Sequence, residues 1–278
     1  MPIYQAVVLA VIQALTEFLP ISSSGHLAIA PKLFGWNDPG LVFDIALHAG
    51  TLFSILIYFF KDWLQLLAAG FGLKFGTDAE LKKNPMMLWM IALATIPLGA
   101  AGLAFNKQAE GPWRSPYVIG TMLIVVGIAM WYAERGTIGK KDMGTMSWTD
   151  GVSIGIAQAL AVVPGTSRSG ATITAGLLRG LNREAAARYS FLLSAPAILA
   201  AALKGARDIQ KSGGIPHDMQ IPFALGVIVS GVLGVVVIAY FLKYLRSHSL
   251  MPFVYYRIVF GVIVMALAFF GVIADQSG

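Results

Sequence analysis

Four stretches of this chain, 86–106, 115–133, 220–242 and 258–274, carry no charged residue and are almost wholly apolar. Each is about long enough to cross a hydrocarbon core of ~30 Å as a helix. Lipid offers a backbone no hydrogen-bond partner, so such stretches must satisfy their own N–H and C=O groups by folding as helices. Two further candidates, 41–60 and 189–203, are less uniform: the first holds Asp44 and His48, and the second is expected to begin earlier, near Glu184. The expected fold class is an all-α integral membrane protein with about six transmembrane helices. Composition agrees, because only 12% of residues are charged, against about a quarter in a soluble domain.

Other classes fall away on the same grounds. With no cysteine, there is no disulfide framework, thiolate nucleophile or thiolate metal site. A net charge of +6 raises the question of nucleic acid, but the basic residues sit in short loops between apolar runs. That distribution belongs to membrane topology and anionic head groups, and no nucleic-acid partner is expected. The N-terminus lacks a cationic segment followed by a cleavage site, so the first apolar helix is expected to be retained.

The loop charges give an orientation. With spans near 41–60, 86–105, 116–133, 185–203, 220–242 and 253–274, one side receives Lys61, Lys74, Lys82, Lys83, Arg135, Lys140, Lys141, Arg179, Arg183, Arg188, Lys243 and Arg246. The other receives Lys107, Arg114, Lys204, Arg207 and Lys211. The positive-inside rule makes the first side cytoplasmic, and both chain ends then lie outside.

Superimposed on this pattern is a repeated motif. Residues 13–26, QALTEFLPISSSGH, align without a gap on 158–171, QALAVVPGTSRSGA. Gln13, Ala14, Leu15, Ser22, Ser24 and Gly25 recur as Gln158, Ala159, Leu160, Ser167, Ser169 and Gly170. Each copy joins two short apolar segments, 4–19 with 24–34 and 152–163 with 169–181, broken at Pro20 and at Pro164-Gly165. Segments this short suggest re-entrant helical hairpins. Three spans separate the copies, so one hairpin should open outside and the other in the cytoplasm. The chain is expected to be a single polytopic domain, 1–278, built as an inverted-topology repeat. Residues 1–133 form the first repeat, with a hairpin at about 4–34 and three spans. Residues 134–278 form the second, with a hairpin at about 152–181 and three spans.

Polar groups at membrane depth are expensive and default to function. The first hairpin tip gathers Glu17, Ser22, Ser23, Ser24 and His26 around Pro20 and Gly25: a carboxylate, three hydroxyls and an imidazole that can move protons. Gln13 and Glu17, four residues apart, share a helix face. The second tip places Ser167, Arg168, Ser169, Gly170 and Thr172 at a helix start, a combination suited to a phosphate group. The expectation is an anionic group held by the second tip and attacked from the first. Serine and glycine also serve close helix packing, which is the competing role for any one of them. Asp44 and His48 share a face, and a structural hydrogen-bonded pair is the alternative to function. His217 and His248 fall in loops.

Gln13-x-x-x-Glu17 with Ser22-Ser23-Ser24-Gly25-His26, together with Pro164-Gly165-Thr166-Ser167-Arg168-Ser169-Gly170-Ala171-Thr172, resembles the bacterial undecaprenyl pyrophosphate phosphatases of the bacitracin-resistance type. The resemblance runs over nearly the whole chain. It implies hydrolysis of a polyprenyl diphosphate carrier to its monophosphate at the outer face of the bacterial cytoplasmic membrane, recycling the carrier for peptidoglycan synthesis. Position 13 is Gln, the less acidic variant of the motif, which leaves Glu17 as the main base or metal ligand. Arg168 and the 167–170 backbone would bind the diphosphate, with Gln13, Ser22, Ser24, Gly25, Ser169, Gly170 and Thr172 lining the site. Ser23 or His26 would be the nucleophile or activate water. A carboxylate beside a diphosphate calls for a divalent cation, Mg²⁺ or Ca²⁺, between them. No organic cofactor is expected. The partners are the lipid substrate and membrane lipids, and a homodimer lies within what the sequence allows. Inverted repeats with broken helices also occur in transporters, so a flippase of an anionic lipid is the alternative. It has no evident use for Glu17, Ser23 and His26 grouped together.

Overall fold

Proline, glycine and polar punctuation divide the apolar sequence into thirteen α-helices in a computed structural model that describes residues 1–136, 139–211 and 213–273, with the side chains of Leu41, Val42 and Glu110 excepted. These are α1 (Ile3–Phe18), α2 (Ser23–Phe34), α3 (Gly40–Tyr58), α4 (Phe60–Gly70), α5 (Ala79–Lys83), α6 (Met87–Ala104), α7 (Asn106–Glu110), α8 (Pro116–Arg135), α9 (Trp148–Ala159), α10 (Arg168–Leu178), α11 (Arg183–Lys211), α12 (Gln220–Leu245) and α13 (Met251–Phe269). Five of them, α6, α8, α11, α12 and α13, are long and apolar enough to cross a membrane, and α3 with α4 makes a sixth if that bent pair is counted as one span. The chain is an all-α integral membrane protein that passes the membrane several times.

Three spans differ from expectation. The run at 41–60 is no straight crossing, because the helix breaks at Phe59 and α4 leaves at 74°. The polar residues of α4 explain the bend. Asp62 accepts from Arg188 of α11 at 2.8 Å, and the Gln65 amide bonds the Asp78 backbone in both directions, at 2.9 and 3.1 Å. Helix α11 runs well past 203, to Lys211. Helix α13 ends at Phe269, before Gly271 turns at φ +71°; residue 274 of the expected span lies outside the described residues.

Both motif copies form hairpins that return to the end from which they start. Tyr4 at the start of α1 meets Trp36 just beyond α2, ring to ring at 5.7 Å. In the second hairpin, Asp150 in the first turn of α9 accepts from Arg179 at the close of α10, at 2.8 Å. The hairpins open at opposite ends. The α-amino group of Met1 lies 4.0 Å from Asp218, just before α12. Helix α3 runs parallel to α12, with Leu47 accepting from Ser230 and Ser54 donating to Gly231. The α3 C-terminus therefore marks the other end. There Arg188 gathers Asp62, Asp78 and Glu80, and the Met143 amide, just ahead of α9, donates to Glu80.

Packing is reciprocal: α1 lies on α12 and α9 lies on α6, while α3 meets α11 and α8 meets α13. Small residues make these approaches close. A Cβ on Gly50 would sit 2.0 Å from Ser230 Oγ, and one on Gly234 2.1 Å from Ser54 Oγ, so α3 and α12 touch nearly backbone to backbone. In lipid, where apolar surface gains little by meeting apolar surface, such packing and interhelical hydrogen bonds hold helices together. Around the end of α1 an aromatic cluster of Phe18, Phe59, Phe191 and Phe241 fills the core.

Candidate active site at the paired hairpin tips

The repeat is visible atom by atom where each hairpin turns. Ser22 and Ser167, equivalent positions in the two copies, are the only non-glycine residues with positive φ among the described residues, at +79° and +67°. A non-glycine residue there is strained and persists only where its surroundings enforce it. Both turns repay the strain in the same way. Ser22 Oγ accepts from the Gly25 amide at 3.3 Å, and Ser167 Oγ accepts from the Gly170 amide at 3.0 Å, so each serine caps the helix that follows it. The capping hydroxyls also meet their neighbours, Ser24 at 3.3 Å and Ser169 at 3.2 Å. The tips touch: a Cβ on Gly25 would lie 3.7 Å from Gly165 Cα, and one on Gly165 only 2.5 Å from the Ile119 carbonyl of α8.

Glu17 is the hub where the tips meet. It is buried, and its Oε2 accepts from Ser23 Oγ at 2.6 Å while its Oε1 accepts from Arg168 Nη2 at 2.6 Å. Ser23 and Arg168 occupy equivalent positions in the two motif copies, so the repeat delivers a hydroxyl from one side and a guanidinium from the other. Gln13 Nε2 donates to Oε2 at 3.3 Å, as their shared helix face requires. His48 of α3 brings Nε2 to 3.6 Å from the same oxygen. Arg168 is steadied by donating to the Ser190 carbonyl at 3.1 Å. A buried carboxylate so surrounded is an oriented proton acceptor for the Ser23 hydroxyl.

The remaining expected residues divide. Ser169 donates to the carbonyls of Glu17 and Leu19, both at 3.2 Å, and Thr172 bonds Ser190 Oγ at 2.6 Å and the Arg168 carbonyl at 2.8 Å. With Ser167 spent on Gly170, the hydroxyls of the second tip hold the two hairpins and α11 in register. Gly25 and Gly170 are the capped amides. His26 turns away from the Ser23–Glu17 pair. Its Nδ1 meets the Ser22 carbonyl at 2.7 Å, its Nε2 meets Tyr256 Oη at 2.7 Å, and its ring stacks on Phe260 at 4.4 Å. With Nδ1–H donating to the carbonyl, Nε2 accepts from the phenol.

Arg257 of α13 is fully buried, pairs with no carboxylate among the described residues, and donates to five carbonyls: Pro20 at 3.1 Å, Gly165 at 3.1 Å, Thr166 at 2.9 Å, Met122 at 3.2 Å and Leu123 at 3.2 Å. Breaking a helix in lipid strands carbonyls that must find donors. One guanidinium answers for both turns at once.

Beside the tips lies a cavity of about 230 Å³ lined by Ser24 and Pro164 from the tips, His48, Asp44 and Arg114, with Leu27, Ile45 and Ala201 among its apolar walls. It reaches the bundle end that carries Ala109 of α7 and Arg114, on the segment between α6 and α8. No group of three or more His, Cys, Asp or Glu side chains suited to a metal ion occurs among the described residues. Both Glu17 oxygens already accept from protein donors, so the donor set does not fit an ion held by Glu17 within a protein cage.

The chain matches the family described as Bacitracin resistance protein BacA over residues 6–263. It belongs to the BacA family. BacA relatives include the undecaprenyl-diphosphatases of Pelotomaculum thermopropionicum, 45% identical over 96% of this chain and 97% of the relative, and Thermobifida fusca, 40% identical over 100% of this chain and 94% of the relative. That of Myxococcus xanthus is 42% identical over 100% and 93%. The BacA family resemblance read from the two motifs therefore extends over the whole fold. What motif reading passed over are Arg257, Tyr256 and Ser190, and it left His48 open. Arg257 had a signal: it sits directly before the uncharged run at 258–274, an ionisable residue at membrane depth.

Proposed function

We propose that Ser23 attacks the terminal phosphorus of a polyprenyl diphosphate, with Glu17 taking the hydroxyl proton and Arg168 offsetting charge on the phosphoryl oxygens. The chain is a membrane hydrolase of the undecaprenyl-diphosphatase kind, cleaving a phosphoric anhydride. Carrier recycling for peptidoglycan synthesis and bacitracin resistance follow from that activity. The observation that carries the residue roles is the 2.6 Å bond from Ser23 to a carboxylate held from its other side by Arg168. In the first step the Ser23 Oγ–P bond forms, the anhydride P–O bond breaks, and polyprenyl monophosphate leaves as the anion. In the second, water attacks the seryl phosphate, Glu17 returns its proton to Ser23, and inorganic phosphate departs. Phosphoryl transfer depends mainly on positioning and charge compensation, and a guanidinium with N–H groups beyond those bonded to Glu17 and Ser190 supplies the latter.

Orientation completes the proposal. The cavity shares its end with Lys107, Arg114 and Lys204, the less cationic end, which supports an outward-facing site in the bacterial cytoplasmic membrane. Its apolar walls suit the first part of a prenyl chain.

The test is phosphate release by purified protein in detergent, with and without chelator, coupled to rapid acid quench on substrate labelled at the terminal phosphate. Acid-stable label on the wild-type protein, absent in Ser23→Ala, is expected, because seryl phosphate survives acid. An active Ser23→Ala would transfer the attack to water, and acid-labile label would transfer it to histidine.

A further inference from the structure

The charge balance at the tips exposes a shortfall. Glu17 and Arg168 neutralise each other, and Arg257 is consumed by five carbonyls. A diphosphate brings more than one negative charge to this place, so a second cation has to come from elsewhere. Of the side chains lining the cavity, Arg114 is the one with a permanent positive charge. It is held loosely, with Nη2 at 3.4 Å from Asp38 Oδ2 and 3.9 Å from Asp44 Oδ2, whereas a strong charge-assisted bond closes to about 2.7–2.9 Å. Its side chain is 26% exposed, and the 3₁₀ turn Pro112–Arg114 presents it just before α8. Asp38 has another task, accepting from the Gly40 amide through Oδ1 at 2.8 Å, where Gly40 turns at φ +79°.

Building on the phosphatase reading, we propose that Arg114 is a phosphate clamp at the cavity mouth, which leaves Asp38 and Asp44 to grip the diphosphate while Arg168 stays on the tips. The two aspartates are its resting partners and compete with substrate. A guanidinium suits this exchange because its planar fork matches carboxylate and phosphate oxygens alike. The clamp gives the site a preference for two linked phosphates over one, since only a diphosphate presents a second anionic group for the outer cation.

The experiment measures steady-state phosphate release from prenyl diphosphate in detergent, with methylenediphosphonate and inorganic phosphate as competing inhibitors. Arg114→Gln should raise KM and the inhibition constant of methylenediphosphonate about tenfold or more, the size of a lost charge-assisted bond. It should leave inhibition by inorganic phosphate within about twofold, and Arg114→Lys should recover part of the loss. Asp38→Asn keeps the acceptor for Gly40 but removes the competing charge, so it should lower KM. A purely structural ion pair makes the opposite prediction, that Asp38→Asn and Arg114→Gln raise KM together. That result, or an unchanged KM in Arg114→Gln, overturns the clamp. If the wild-type protein releases no phosphate, the phosphatase reading itself fails, which is a separate outcome.

Discussion

Arg257→Met tests whether one buried guanidinium holds both hairpin turns. The substitution keeps an unbranched side chain of similar reach but removes every donor. The Met122 and Leu123 carbonyls lie inside α8 and keep their helical partners, so the loss falls on Pro20, Gly165 and Thr166, whose carbonyls accept from Arg257 at 3.1, 3.1 and 2.9 Å. Leaving a buried acceptor unpaired costs about 1–3 kcal/mol. Three give roughly 3–9 kcal/mol, reduced by relief of the desolvation of a buried charge. Even about 3 kcal/mol is a large part of a typical folding free energy of about 5–15 kcal/mol, and it corresponds to a fall in Tm of roughly 6–12 °C. Differential scanning fluorimetry in detergent should show that drop, and phosphate release should fall with it because Glu17 and Arg168 are carried by the turns that loosen. Arg257→Lys separates the effects. An ammonium retains the charge and three donors but cannot span both turns, so it should recover much of the Tm while kcat stays depressed and KM changes little. A Met variant with wild-type Tm and turnover would refute the reasoning.

Arg168→Ala leaves the buried Glu17 carboxylate without its countercharge, so Tm should fall by several degrees, and kcat of the protein that remains folded should drop on the order of 10²-fold or more, with Arg168→Lys recovering only part; near-normal turnover in the alanine variant would remove Arg168 from the chemistry. Burial opposes the charge on Asp78, yet the Leu81 amide and the Arg188 guanidinium hold its carboxyl below the usual range. Its contribution is therefore complete above the unfolded pKa, near 4, and disappears as pH falls through the lower folded value. Wild-type Tm should exceed that of Asp78→Asn by a few degrees at neutral pH, consistent with about 1 kcal/mol for a partly exposed pair, and the two curves should merge in acid; parallel curves would contradict the pairing. In this cysteine-free chain, a cysteine placed at Gln108 or Gln276 should react with an impermeant thiol reagent on intact spheroplasts, and one at Thr77 or Thr145 should not. The reverse pattern would turn the site to the cytoplasm.

Much of the candidate site's geometry is legible in the chain because the repeat encodes it locally. Gln13 and Glu17 are one helical turn apart, and their side chains bond as that spacing requires. Ser22 and Ser167 sit at matching places in the two motifs and adopt matching strained turns. The helical breaks at Pro20 and Pro164-Gly165 were visible in the same way, since they depend on residue type alone. What escaped depends on contacts across the bundle. That Ser23 and Arg168 close on opposite oxygens of Glu17 follows from the mutual approach of two hairpins more than a hundred residues apart, and no local pattern records it. His26 carries the same motif signature as a catalytic histidine, but the nearness of Tyr256 and Phe260 on α13 draws its ring elsewhere. The bend after α3 depends on Asp62 finding Arg188, a partner on a distant helix. His48 meets Glu17 across the helices through Nε2, while its Nδ1 takes the Asp44 backbone carbonyl, a choice that residue spacing on α3 does not encode.

The exchange of partners between halves also bears on how the protein is made. Helix α1 leaves the ribosome long before α12, the surface it lies on. The first turn stays open longer still, because the donor for the Pro20 carbonyl is on α13. Through most of synthesis the leading hairpin therefore waits in the bilayer with its stranded carbonyl and buried-to-be Glu17 exposed to whatever surrounds it. Contacts this distant in sequence form slowly, so the unfinished chain is a natural target for membrane proteases and insertion chaperones. A fragment ending before α12 should be cleared by the cell, and coexpression with the missing piece should rescue it.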